Sequence, residues 1–190
     1  MPTRNVNLTD ELDHFVLQKV ESGRYENASE VVRAALRTLE REEQRHEAKL
    51  AALRTAIDEG DASGIAEGNV FERVREKLNL PSFDGALACG QVPFSHRAEA
   101  DLFNIGLNTF RTWGEIQTER YIRQLEDCCQ LLADNPALGR PWDEIRPGLR
   151  RMKQGKHVVF YREELGDILI SRILPEKQTF DDEDDTPDSL

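Results

Sequence analysis

Residues 60–91, GDASGIAEGNVFERVREKLNLPSFDGALACGQ, divide the chain into two parts that must meet again. Gly60, Gly64 and Gly68 punctuate its first part. Phe71, Val74 and Leu78 then recur at i, i+3 and i+7, with charged residues mostly on the other side. A helix of about three turns is marginal alone in water, so this one needs a surface to lie on. Two surfaces are open to it, its own preceding module or the module that follows. The second gives helix-in-groove recognition with Ile65, Phe71, Val74 and Leu78 as anchors. Pro81 ends the helix, and residues 81–91 have turn residues without periodicity, so they form a linker.

The first module, residues 1–60, opens with alternation. Val6 and Leu8 point one way, and Thr3, Asn5 and Asn7 the other, which is a strand with one apolar face. Thr9 followed by Asp10 and Glu11 starts a helix, with Leu12, Phe15, Val16 and Val20 at helical spacing and Gly23 as its stop. Ser29 caps a second helix with Val31, Val32, Ala35, Leu36 and Leu39 as its stripe. The pattern continues more weakly through Leu50, Leu53 and Ile57 to Gly60. One short strand cannot satisfy its own backbone groups, so it must pair with the same strand of a second copy.

Strand, helix, the GRY loop and NASEVVRAALRTLE resemble the ribbon-helix-helix antitoxins of the ParD family over most of residues 1–60. The resemblance implies a homodimer or higher oligomer formed through the ribbon, and binding to operator DNA. A two-stranded ribbon fits the major groove, where Asn pairs with adenine and Thr contacts a thymine methyl, so Thr3, Asn5 and Asn7 face the bases. The helix start at Asn27, Ala28 and Ser29 offers N–H groups to a phosphate, with Arg4 and Arg33 beside it. An ordinary solvated strand face is the competing reading of the alternation. The same resemblance implies that residues 61–80 wrap and neutralise a toxin.

The second module, residues 92–180, begins with the short extended segment Val92, Pro93, Phe94, Ser95. A helix from Arg97 puts Ala98, Leu102, Ile105, Thr109 and Trp113 on one face, and Gly114 breaks it. Residues 116–134 form a second helix with Tyr121, Ile122, Leu125, Cys129 and Leu132 inward, closed by Pro136. So short a turn makes the pair an antiparallel hairpin. Residues 149–154, 157–163 and 167–174 are rich in Val, Ile, Phe and Tyr and read as strands. The fold expected is α+β: a ribbon-helix-helix part, then a helical hairpin on a small antiparallel sheet. The order RAEADL, NPALGRP, RPGLRRMKQGKHVVFYRE and ISRILP resembles the ParE toxins of the RelE-like superfamily.

That resemblance implies inhibition of DNA gyrase by the free second module. The alternative within the superfamily is ribosome-dependent mRNA cleavage, which needs basic and aromatic or His groups near the C-terminal end. Here that end offers Lys177 and no Tyr or His. His157 and Tyr161 can be put forward as a catalytic pair, but as strand residues they need no such role. The departure favours the gyrase reading, with no catalytic residue, metal or cofactor assigned. Arg140, Arg146, Arg150, Arg151, Lys153 and Arg172 remain effector candidates, open to target binding or to internal pairing.

Composition sets outer bounds. The net charge of -11 speaks against nucleic acid, but it is unevenly spread. Residues 140–162 hold seven basic residues against two acids, and the tail 181–190 is strongly acidic and expected to be disordered. The four histidines have no metal-ligand spacing, and Cys128 and Cys129 fall on the core side of a helix. Three cysteines, two of them adjacent, make no disulfide framework, which with no apolar leader or membrane-length run places the chain in the cytoplasm, with no membrane partner. Met1 and Met152 are the only methionines, so no Met begins the second module. Toxin and antitoxin would thus meet within one chain or by exchange between chains. Changing Asn5 and Asn7 to Ala is expected to abolish operator binding while leaving the dimer folded, as read by gel shift and circular dichroism.

Overall fold

The computed structural model describes residues 6–81, 92–164 and 166–179. The expectations for Thr3, Arg4 and Asn5, for most of the linker and for the acidic tail therefore lie outside the described residues. The chain forms two compact units, residues 1–48 and residues 49–190. The division does not follow the expected boundary near residue 60.

In the first unit, α1 (Asp10–Glu21) ends where Gly23 takes φ +73°, as the sequence predicts. Only Val16 of its apolar residues is buried. Leu12, Phe15 and Leu17 stay about half exposed, and so do Leu36 and Leu39 of α2 (Ala28–Ala62). Phe15 and Leu39 line a groove of about 300 Å³ together with Tyr25, Val31 and Ala35. The cap of α2 is Asn27 rather than Ser29: Asn27 Oδ1 accepts from Glu30 N–H at 3.0 Å, and Glu30 Oε2 accepts from Glu26 N–H. Asn is as good a cap as Ser, and the helix starts two residues earlier than expected.

Gly60 does not end α2. The helix runs through it, and a Cβ there would collide with the Ser171 carbonyl oxygen. The glycine serves close approach rather than chain termination. The helix stops two residues later, and Gly64 and Gly68 take positive φ. The next helix, α3 (Val70–Lys77), is shorter than the sequence suggests, because Leu78 is its C-cap and Asn79 adopts φ +52°.

The second unit adds α4 (His96–Trp113) and α5 (Glu115–Asp134), joined by Gly114 alone, and the strands β1 (Arg140–Pro141), β2 (Leu149–Gln154), β3 (His157–Glu164) and β4 (Asp167–Pro175). A short helix, α6 (Glu176–Thr179), follows. The sheet is antiparallel in the order β1-β2-β3-β4. Its inner face packs Val159, Tyr161, Ile168, Ile170 and Ile173 against Leu102, Ile105, Ile122, Leu125 and Leu132 of the hairpin. Both cysteines are buried there, and burial pushes the Cys128 thiol up to about 11. Trp113 departs from the expected face: it lies at the hairpin tip, 69% exposed, beyond the reach of the sheet.

Tyr161 explains how the sheet holds the loop after α5. Its buried hydroxyl donates to the Pro136 carbonyl at 2.7 Å and accepts from Gly139 N–H at 2.9 Å. Tyr161→Phe leaves both backbone groups without their partner. It is expected to destabilise the fold by about 1–3 kcal/mol, as a lowered urea midpoint at unchanged slope.

Candidate functional site

Three consecutive pieces of residues 49–81 grip residues 92–179, each by a different kind of contact. The first is the second half of α2. Leu50, Leu53 and Ile57 fall at i, i+3 and i+7 and so share one face. All three are buried, against Ile145, Leu149, Val158, Phe160 and Leu174 on the outer face of the sheet. Full burial of such side chains is worth roughly 1.5–3 kcal/mol each.

Just beyond this stripe, Asp61 meets the sheet. Its carboxylate accepts from Ser171 Oγ at 2.6 Å, pairs closely with Arg146, and lies 3.4 Å from Arg162 Nε. Arg146 also lies 3.5 Å from Asp58, and Glu59 pairs with Arg97 at 3.7 Å. Arg172 donates to the Ala56 carbonyl at 3.0 Å while holding Asp101 through two N–H groups. One face of α2 thus carries both an apolar stripe and the acids that answer these arginines.

The second piece is backbone. Phe94 bridges Ile170 of β4, with Ser95 N–H donating to Ile170 O and Ile170 N–H donating to Pro93 O, both at 2.9 Å. Ile65 in turn bridges Ser95 in antiparallel fashion. Ala66 N–H donates to Phe94 O at 2.8 Å and His96 N–H to Gly64 O at 3.0 Å. Residues 64–66 therefore extend the sheet at its β4 edge, which is strand addition. This locates Ile65: its backbone makes the contact, and its side chain is 55% exposed.

The third piece is α3, whose start is fixed by Asn69 Oδ1 accepting from Glu72 N–H. Phe71, Val74 and Leu78 are buried with Ala66, Val70 and Leu80 against α4 and α5. Phe71 meets Phe94 edge-on with centroids 5.4 Å apart. Leu78 sits over Gly106, where a Cβ would strike it. Arg75 is buried too, and pairs with Glu126. The sequence put it on the solvent side, and helical spacing gives no sign of the pairing. Asp61 left no signal either, whereas Leu50, Leu53 and Ile57 were legible but were assigned to the first module.

The remaining candidates separate. Arg140 is exposed. Arg150 donates to the Gly139 carbonyl and lies 3.6 Å from Glu163, and Lys153 pairs with Glu176. The Arg151 guanidinium lies 4.1 Å from the Trp142 ring centroid. His157 and Tyr161 do not form a pair. His157 Nδ1 lies 2.7 Å from Tyr121 Oη, and burial holds its imidazole below the usual pKa. The Tyr161 hydroxyl is held by backbone. In the first unit Asn7, Asn27, Ala28, Ser29 and Arg33 are all exposed. Among the described residues no cluster of His, Cys, Asp or Glu fits a metal ion, and no helix is long and apolar enough to cross a membrane.

Glu99 of α4 couples α3 docking to pH. It accepts from Arg73 Nε at 2.9 Å and lies 3.5 Å from Lys77. The Arg73 hydrogen bond, and then the charges of Arg73 and Lys77, hold its carboxyl below the ordinary glutamate value against the opposing effect of burial. A depressed folded-state pKa gives stability that is present above the unfolded value, about 4.3, and lost as pH falls through the folded one. Urea unfolding of the intact chain is expected to weaken across that acid window, with a shallower fall in Glu99→Gln.

Residues 3–79 match the family model described as bacterial antitoxin of ParD toxin-antitoxin type II system and RHH. Residues 92–180 match the ParE toxin of type II toxin-antitoxin system, parDE. Toxin ParE1 of Mycobacterium tuberculosis (strain CDC 1551 / Oshkosh) is 40% identical over 88 residues, 46% of this chain and 90% of that protein. Antitoxin ParD of Escherichia coli O157:H7 is 48% identical over 60 residues, 32% of this chain and 70% of the relative. A solved structure titled chromosomal ParDE TA system from P. aeruginosa aligns with 43% of this chain and 90% of its own, at 22% identity and TM-score 0.38. The chain belongs to the ParD antitoxin family in its first part and to the ParE toxin family in its second, a type II toxin–antitoxin pair joined in one polypeptide.

Proposed function

We propose that the intact chain is a self-neutralised toxin whose covering segment is residues 49–81. The observation that carries this reading is the double cover: α2 lies on the outer face of the sheet and α3 on the hairpin. Phe71, Val74 and Leu78 anchor the α3 part of the cover to the hairpin through their side chains, and Ile65 anchors residues 64–66 through its backbone. Tethering makes the contact intramolecular, at an effective concentration of order millimolar for a short flexible linker. Free of the cover, the second half inhibits DNA gyrase. That the His157 and Tyr161 ring groups are engaged in fold contacts supports this over RNA cleavage.

The first half dimerises and binds operator DNA, repressing its own transcription. The exposed Leu12, Phe15, Leu17, Leu36 and Leu39 support a second copy as their cover, since a stable unit of this size rarely leaves so many large apolar groups in water. The start of α2 supports a phosphate contact. Asn27 takes up Glu30 N–H, while Ala28 and Ser29 N–H precede the intrahelical ladder and are exposed.

The test is the full chain with Ile57→Glu, Asp61→Arg and Val74→Asp together. The wild-type chain is expected to leave growth and gyrase supercoiling untouched. The triple variant is expected to arrest growth and inhibit supercoiling. Cleavage of ribosome-bound mRNA instead would transfer the toxin to the ribonuclease reading. A triple variant silent in all three assays would end the toxin reading.

A further inference from the structure

The outer face of the sheet is built to hold a helix, and the arginines at its edge depend on what sits there. Trp142 stacks on Phe160 with centroids 6.1 Å apart, and Ile145, Leu149, Val158 and Leu174 complete an apolar centre. Within residues 92–179, Arg172 has Asp101, Arg150 has Glu163 and two backbone carbonyls, and Lys153 has Glu176. Arg146 differs: both of its carboxylate partners, Asp58 and Asp61, come from α2. Arg162 divides itself between Glu164 of its own strand and the same Asp61. When α2 leaves, an apolar seat is uncovered with these two arginines at one end.

We propose that this seat is the surface with which the free toxin half grips its target, and that the target presents an amphipathic helix of the same chemistry as α2. Its signature is apolar side chains at i, i+3 and i+7 with a carboxylate four residues further on, the pattern of Leu50, Leu53, Ile57 and Asp61. Neutralisation is then occupation of the seat by a mimic. A nucleic-acid target fits the face poorly. Affinity for nucleic acid comes from neutralising many phosphates. This seat offers six apolar side chains at its centre and, at one end, two arginines that one carboxylate can answer. The other cover, α3, lies on the hairpin, so its removal alone leaves the seat filled.

The proposal rests on the toxin reading above, and the two fail separately. Growth arrest by the triple variant is the reference. Ile57→Glu with Asp61→Arg alone, α3 intact, is expected to arrest growth as the triple variant does. Phe71→Asp with Val74→Asp, α2 intact, is expected to stay harmless, although the sequence by itself suggests that α3 alone restrains the toxin. Adding Arg146→Ala and Arg162→Ala to the triple variant, which gives the new position-61 side chain no acidic partner, is expected to weaken target binding by at least about thirtyfold and abolish arrest. Trp113→Ala at the exposed hairpin tip is expected to leave the triple variant toxic. Circular dichroism of each purified variant confirms that it is folded. A harmless α2 variant, a toxic α3 variant, or arrest that survives both Arg→Ala changes would overturn the proposal while leaving the toxin reading in place. A harmless triple variant would remove both.

Discussion

The centre of strand β3 has no solvent face, and the second unit is arranged around that fact. Val158 and Phe160 point to one side and Val159 and Tyr161 to the other, and all four are buried. A sheet with a strand of this kind needs a layer on each face. The α4–α5 hairpin supplies one layer. The other comes from the second half of α2, in the antitoxin part of the chain. The contact that completes the fold of the toxin is thus the same contact that covers it.

Electrostatics fixes where that second layer sits. Apolar contacts alone would tolerate a helix sliding along the sheet. Asp61 removes that freedom, because it must find Arg146, Arg162 and Ser171 together. Gly60 permits it by letting the α2 backbone reach the Ser171 carbonyl. A partly buried carboxylate that bonds one arginine and a hydroxyl and lies beside a second arginine is costly to remove, since the arginines are left without its charge between them. The chain is acidic overall, yet five of the seven basic residues in 140–162 are answered individually: by backbone carbonyls, by the Trp142 ring, and by acids on α2, β3 and α6.

Much of the fold was legible because periodicity reports burial on one face at a time. The strand limits, the hairpin with its Gly114 turn and the Gly23 stop follow from residue spacing. So do the anchors Phe71, Val74 and Leu78. The remainder was hidden for particular reasons. Glycine signals a break in sequence, but at Gly60 it signals contact. Ile65 looks like an anchor by hydropathy, while the structure uses its backbone. Arg75 and Asp61 look like solvated charges until partners from distant segments, Glu126 and Arg146, come near. The run Val158–Tyr161 did contain a sign of two covered faces, since it fails to alternate, but a run of apolar residues does not name the segment that covers it.

The placement of the cover within α2 has a consequence for control. From Glu43 to Ala48 every residue of the helix is exposed and none lines the groove of the first unit, and the compact units divide at that end. A helix without packing contacts is only marginally stable in water. Loss of the first unit therefore need not propagate into the second, where Leu50, Leu53 and Ile57 are held by the sheet and residues 64–66 by its edge. The cover also lies on the toxin side of that exposed stretch and remains joined to what it covers. In a two-chain pair, dilution separates toxin from antitoxin. Here it cannot, because the local concentration is set by chain connectivity. On the proposed reading, uncovering the toxin half calls for a change within the cover itself, residues 49–81, rather than in the exposed stretch.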